Sequence, residues 1–256
     1  MTDKTQRDIV IVKGLTKKYG SKTVVKEVDF AVREGEIFGI LGPNGAGKTT
    51  TLEMIETLRP IDGGSATLDG VDVASNPDAV RMIVGIQTQS SSFYDKLTLI
   101  ELLQFFATTY GKKVDAMQLL KDVGLEDKAA SYPEKLSGGQ RQRFSIVSAL
   151  VNEPKVLFLD EPTTGLDPQA RRNLWDLILA IRGRGITIIL TSHYMEEAQL
   201  LCDRVAIMDK GSIISLDTPR RLVQNLLDQG FHKDVEVQQA DLEDVFINLT
   251  GKALRD

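Results

Sequence analysis

The stretch Glu36–Thr50, EIFGILGPNGAGKTT, decides how the rest of the chain is read. Glu36–Leu41 is a short, nearly all-apolar run, the spelling of a strand buried on both faces. Gly42–Thr50 then fits G-x-x-x-x-G-K-[ST], and a helical pattern from about Lys48 to Leu58 follows. In a strand–turn–helix of this kind the backbone N–H groups of Gly42, Pro43, Asn44, Gly45, Ala46 and Gly47 (proline excepted) wrap the α- and β-phosphates of a nucleotide. Lys48 reaches the β- and γ-phosphates, the Thr49 hydroxyl ligates Mg²⁺, and Thr50 closes the motif.

A phosphate loop needs acids opposite it, and Val156–Glu161, VLFLDE, supplies them. Four apolar residues make a central strand, and Asp160 and Glu161 emerge at its C-terminal edge, where α/β sheets place ligands. Asp160 is expected to hold Mg²⁺ through water, and Glu161 to polarise the attacking water. Gln89 ends the run Ile83–Thr88 and could touch both metal and lytic water; Gln87 competes, because alternation turns it to the same side. A lone histidine is more often structural, but His193 follows the strand Ile186–Leu190 at the same catalytic edge.

The remaining pattern is α/β. Val10–Leu15 and Val24–Val32 read as strands joined through Tyr19-Gly20-Ser21-Lys22, and Val205–Met208 as a buried strand. Asp209–Ser212 is a hairpin turn into Ile213–Leu216, before Pro219 opens another helix. Buried strands alternating with helical patterns imply a mostly parallel sheet. Between Gln89 and Glu134, Leu99, Leu102, Leu103 and Phe106, then Met117, Leu120 and Val123, fall at helical spacing, with Gly111 and Gly124 as stops. This is a small helical insertion. At its far end SGGQRQR, Ser137–Arg143, spells a capping box that starts a helix whose first turn is bare backbone, a second anion site. Arg141 and Arg143 read as a solvated face.

Composition is that of an ordinary globular chain: 256 residues, 42% hydrophobic and 26% charged. A net charge of −5 argues against bulk nucleic-acid binding. The single cysteine, Cys202, excludes an internal disulfide and suits a reducing compartment. The polar N-terminus lacks a signal peptide's apolar core, and no run approaches a membrane span.

GPNGAGKTT, Gln89, LSGGQ at Leu136–Gln140, VLFLDE, GLD at Gly165–Asp167 and His193, in this order, resemble the nucleotide-binding subunits of ABC transporters over nearly the whole chain. The resemblance implies a P-loop NTPase core over 1–223, with antiparallel N-terminal strands and a helical subdomain inserted at about 90–154. It implies two subunits paired head to tail around two ATP molecules, with Ser137, Gly138, Gly139 and Gln140 of one capping the γ-phosphate held by the other. Asp167 resembles the residue that communicates between the two sites. Tyr19 matches the aromatic that stacks on adenine, although a surface or core tyrosine is the plain alternative. A separate membrane permease would hold the protein at the cytoplasmic face, contacted by Ser90–Leu97 with Phe93 and Tyr94 as anchors or as local packing.

The tail, 224–256, carries Leu242, Val245, Phe246 and Leu249 on one helical face, which periodicity alone reads as a docking helix. LEDVF…LTG and GIQTQSSSFYDKLTLIELL look like the export branch that handles drugs and antibiotics. The rival is a soluble ATPase of the same type in DNA repair or translation; repair members carry a long coiled coil and translation members two cassettes. A kinase or GTPase leaves SGGQ without a purpose. The cargo is not legible.

Overall fold

A computed structural model describes residues 7–89 and 92–231. The chain divides into two compact units, 1–222 and 223–256. The first unit opens with β1 (Asp8–Tyr19), β2 (Lys22–Arg33), β3 (Ile37–Leu41), α1 (Lys48–Ile55), β4 (Gly63–Leu68), β5 (Val71–Asp72), α2 (Pro77–Arg81) and β6 (Val84–Gln87). The helices α3 (Leu99–Thr109), α4 (Ala116–Asp122) and α5 (Gly138–Ser148) follow. The chain then returns through β7 (Val156–Asp160), α6 (Pro168–Gly183), β8 (Thr187–Ser192), α7 (Met195–Leu201), β9 (Arg204–Asp209) and β10 (Ser212–Asp217). The helix α8, Pro219–Asp228, begins at the expected proline.

Two sheets result. One is antiparallel, in the order β2-β1-β4-β5; the other runs β10-β9-β3-β8-β7-β6, with β9, β3, β8, β7 and β6 parallel and β10 antiparallel at the edge. The mostly parallel sheet and the antiparallel N-terminal strands are both present. Tyr19 pairs with Lys22 across Gly20-Ser21, and Asp209 with Ser212 across Lys210-Gly211, whose φ values of 46° and 88° are those of a tight primed hairpin turn. β4 and β5 were not expected from the sequence: GGSATL has little apolar alternation, and only pairing with β1 makes it a strand.

Side-chain parity builds the core. Phe38, Ile40, Phe158 and Ile189 enter one cluster with Leu52 and Ile55 of α1 and the inner faces of β1 and β2. Their neighbours Ile37, Leu41, Leu157, Leu159, Ile188 and Leu190 enter a second with Leu174, Trp175 and Ile178 of α6. A third cluster lies within the insertion, where Leu99, Leu102, Leu103, Leu120, Phe144 and Val147 pack α3, α4 and α5 together.

Three local expectations are corrected. α1 ends at Ile55 rather than Leu58, because Thr57, at φ 65°, takes the left-handed position usually given to glycine. The Leu58 N–H then donates to the Glu53 carbonyl and that of Thr57 to the Met54 carbonyl. β8 begins and ends later than Ile186–Leu190, which brings Thr191 and Ser192 into the sheet. Arg141 and Arg143 are not merely solvated: Arg143 donates to the Val123 carbonyl (2.6 Å) and Arg141 to that of Pro133 (3.1 Å), tying α5 to the loops of the insertion. The tail helix at Leu242–Leu249 lies outside the described residues, as does Ser90. Among the described residues no helix is long and apolar enough to cross a membrane.

The seam between the insertion and the parallel sheet runs past Gly85 of β6. A Cβ there would lie 2.1 Å from the Ala149 carbonyl oxygen and 3.1 Å from Pro154. Gly85→Ala should therefore cost about 1–3 kcal/mol in denaturant unfolding, whereas Gly111→Ala, which meets nothing within 4 Å but has φ 65°, should cost about 1 kcal/mol.

Candidate active site

The phosphate loop lies where the sequence places it, between β3 and α1. Its glycines are set by crowding as much as by conformation. A Cβ on Gly42 would stand 2.1 Å from the Met208 carbonyl oxygen; one on Gly47 would be 3.0 Å from that of Val24, at a φ of 104°. Gly47 is the N-cap of α1 and offers no side-chain acceptor, so the first-turn N–H groups of the helix point free. Asn44, Gly45, Gly47, Lys48, Thr49 and Thr50 line a cavity of about 320 Å³, closed on the far side by Gln89 and Glu161.

Lys48 is buried, and its Nζ donates to the carbonyls of Gly42 (2.9 Å) and Pro43 (3.3 Å) while lying 3.4 Å from Glu161 Oε1. The Thr49 hydroxyl reaches Asp160 Oδ1 at 3.3 Å, and Thr191 donates to the same oxygen. Burial pushes the Asp160 carboxyl above its ordinary range. The Glu161 charge adds to this, while hydrogen bonds from Thr191 and Thr49 and the Lys48 charge oppose it.

Glu161 is the hub. Its backbone, at φ 48°, is in the left-handed region, a conformation that costs a non-glycine residue about 1–2 kcal/mol, and its N–H is held by Thr191 Oγ1 at 3.0 Å. Oε2 accepts from Gln89 Nε2 (3.2 Å) and Thr164 Oγ1 (3.4 Å) and lies 3.4 Å from His193 Nδ1. That last contact lacks hydrogen-bond alignment, and Nδ1 has no hydrogen-bond partner among the described residues.

The structure thus brings together Lys48, Thr49, Asp160, Glu161, Gln89 and His193. Gln87 is buried, turned to the Thr88 carbonyl (2.6 Å), and does not line the cavity. Tyr19 also stands outside the lining residues. The residue is 42% exposed, with Lys17 Nζ 5.7 Å and the Arg59 guanidinium 5.6 Å from its ring centroid. Sequence reasoning missed Thr191 and Thr164; Thr191 lies within β8, opposite Asp160 of β7, and that register was the usable signal.

Ser137, Gly138, Gly139 and Gln140 are elsewhere. Ser137 caps α5, accepting from the Gln140 N–H (3.3 Å) while the Gln140 side chain accepts from the Ser137 N–H (3.0 Å). Asp167 caps α6 through the Ala170 N–H at 2.8 Å. The two helix N-termini face a cavity of about 240 Å³ that shares no lining residue with the first.

Comparison with known proteins gives the family of the chain. The family profile described as ABC transporter matches residues 25–164, from β2 to beyond Glu161. The chain belongs to the ABC transporter family. It is 41% identical over 217 residues to the linearmycin resistance ATP-binding protein LnrL of Bacillus subtilis (strain 168), spanning 83% of this chain and 70% of that one. It is 42% identical over 220 residues to the Nod factor export ATP-binding protein I of Ralstonia nicotianae, spanning 84% and 68%. A solved ATP-binding subunit of an ABC transporter superposes with TM-score 0.76 at 30% identity, covering 94% of this chain and 99% of its own. A dimeric ATP-binding cassette in a post-hydrolysis state, bound to ADP and Pi, does so at 0.74 and 26%, covering 82% and 99%. The chain is an ATP-binding subunit of this family and an ATPase. ABC subunits of this kind work with membrane permeases, and dimeric cassettes are among their solved forms.

One buried acid next to the ABC site was not foreseen. Glu56, at the end of α1, is 3% exposed. Burial pushes its carboxyl up to about 8, with Asp160 and Glu53 acting in the same direction. The unfolded chain releases this proton near 4.5 and the folded one near 8, so the folded state loses stability as pH climbs through that window and levels off above it. Glu56→Gln should flatten the fall and, at pH 8.5, raise unfolding stability by on the order of 2–4 kcal/mol, measured by urea titration at pH 5.5, 7 and 8.5.

Proposed function

We propose that this subunit drives export through a separate membrane permease by hydrolysing ATP with Glu161 as the general base. The convergence of Lys48, Gln89, Thr164 and His193 on the Glu161 carboxylate carries the reading. One carboxylate oxygen faces the ammonium that would bind the γ-phosphate, and the other faces the groups that would hold a water in line. The loop Gly42–Thr50 would cradle the phosphates, and Tyr19 would stack on the adenine. His193 would orient the water or the γ-phosphate beside the base.

Thr49 and Asp160 fit a Mg²⁺ ion. The hydroxyl of Thr49, which lines the phosphate cavity, and the buried Asp160 carboxylate behind it stand 3.3 Å apart, and Mg²⁺ is ordinarily held by one or two such groups together with substrate phosphates. Bound there, the ion would neutralise phosphate charge.

The SGGQ helix end and the phosphate loop line separate cavities of one chain, which supports a head-to-tail pair in which Ser137 to Gln140 and Asp167 of one copy complete the site of the other. Two cradles opposed across one γ-phosphate make closure depend on ATP, since one helix terminus by itself stabilises an anion only modestly. Export follows from what the two relatives are named for, linearmycin resistance and Nod factor export. Attachment at the cytoplasmic face would be through the permease. For that contact, Tyr94 is 60% exposed and stacks edge-on to the exposed Phe105, whereas Phe93 packs inward on Phe106 and Phe144. Tyr94 is therefore the better anchor.

Glu161→Gln should lower kcat by at least about 100-fold, keep ATP affinity, and shift the protein to dimers in ATP and Mg²⁺ by size exclusion. Parental turnover in that variant would remove Glu161 from the reaction. Ser137→Phe should keep ATP binding by the monomer yet prevent the ATP-dependent dimer; a dimer forming normally would exclude the trans contact.

A further inference from the structure

His193 faces the base, but among the described residues no hydrogen bond fixes its Nδ1. Nδ1 is 3.4 Å from Glu161 Oε2 without hydrogen-bond alignment, and among the described residues it has no hydrogen-bond partner. What the imidazole does touch is an aromatic face: its centroid lies 4.1 Å from that of Tyr194, with the planes 38° apart. Tyr194 is in turn covered by Arg171 of α6, whose guanidinium carbon is 4.5 Å from the ring centroid. The Arg171 Nε is buried and unpartnered among the described residues, so no hydrogen bond through that atom sets the side chain. The ring itself is the counterpart of the cation.

One helical turn further along α6, Trp175 Nε1 donates to Oε1 of the fully buried Glu197 of α7 at 3.1 Å. Arg171 and Trp175 share a face of α6 at a spacing of four, and Tyr194 and Glu197 answer them from the segment that carries His193. The Tyr194 N–H is also fixed, donating to Ser192 Oγ at 2.9 Å.

We propose that Tyr194, clamped by Arg171, is the positioning residue that sets the orientation of His193 beside Glu161. The inference rests on the role given to His193 above and extends it to residues that do not themselves reach the cavity. α6 is capped by Asp167, which lines the SGGQ cavity together with Ala170 of its first turn and Gly139, where an added Cβ would lie 3.1 Å from the Ala170 Cβ. A displacement of the first turn of α6 is therefore passed through Arg171 and Tyr194 to His193.

The test is steady-state ATP hydrolysis by the full chain, with nucleotide affinity and melting temperature measured in parallel for each variant. Tyr194→Phe keeps the ring and should stay within about twofold of the parent. Tyr194→Leu should lower kcat about tenfold with KM for ATP within about twofold, and Arg171→Leu should do the same to a lesser degree. Arg171→Leu alone decides the matter if the first variant fails to fold. Combined with His193→Ala, either should add almost nothing, because the loss is already inside the histidine's own. The proposal is overturned if Tyr194→Leu and Arg171→Leu retain parental kcat while His193→Ala is impaired, or if the losses multiply in the double variants. An unimpaired His193→Ala overturns the role of the histidine and this inference with it, and leaves Glu161 to its own test.

Discussion

Everything at the site is arranged around a buried ammonium. Lys48 is taken out of water and held by two loop carbonyls and one carboxylate, and each of these contacts fixes a different part of the fold. The carbonyls of Gly42 and Pro43 are the loop itself, so the lysine holds the curve that exposes the first-turn amides of α1. Glu161 belongs to the end of β7, so the same charge draws the acidic strand edge towards the loop. An ammonium so placed is stable only while its partners stay, because an unpaired buried charge costs several kcal/mol. Loop shape and the position of the base are thereby coupled through one side chain.

The acids around it work against their own ionisation. Asp160 is pushed up by burial and by its neighbour, and Glu56, the residue that ends α1, is pushed up by burial as well. A pocket that raises carboxyl groups in this way favours a cation or a hydrogen-bond donor at its mouth, and Thr49 and Thr191 already lean towards Asp160. Glu161 is held by a different set of groups. Its left-handed backbone at the strand end puts the carboxylate among Gln89, Thr164 and His193 instead of alongside Asp160, which divides two adjacent acids into a metal-facing group and a water-facing one.

The insertion packs around a hydrophobic cluster distinct from those of the sheet. It has its own core, built on Leu102, Leu103 and Phe144, and meets the parallel sheet along a tight seam at Gly85 and through Asn152, which donates to the Val84 carbonyl at 2.8 Å. Gln89 leaves β6 on the near side of that seam and bonds Glu161, so any movement of the insertion acts on the hydrogen bond to the base. α6 provides a second line from the opposite direction. On the proposed reading, in which ATP state and permease state are coupled, these two lines would meet at the Glu161 carboxylate.

The short buried runs Ile37–Leu41 and Val156–Asp160, the G-x-x-x-x-G-K-T spelling and the Ser137–Gln140 capping box were legible without coordinates. Each is spelled by local chemistry: apolar continuity, glycines where the turn needs positive φ, and a side chain bonding the backbone three residues away. Gln89, Glu161 and His193 could be nominated because they follow strands that end at one edge. The strand GGSATL could not be seen, since β1 makes it a strand; nor could the early end of α1, where a threonine takes a glycine's place. The choice of Gln89 over Gln87 depended on how the chain leaves β6. The contacts of Arg171, Tyr194, Trp175 and Glu197 join residues more than twenty apart, through faces of two helices whose facing no periodicity specifies. The chain's own sequence determined which groups it possesses and which elements carry them. Only the packing of those elements decided which groups meet, because burial, not spelling, sets the distances between side chains from separate elements.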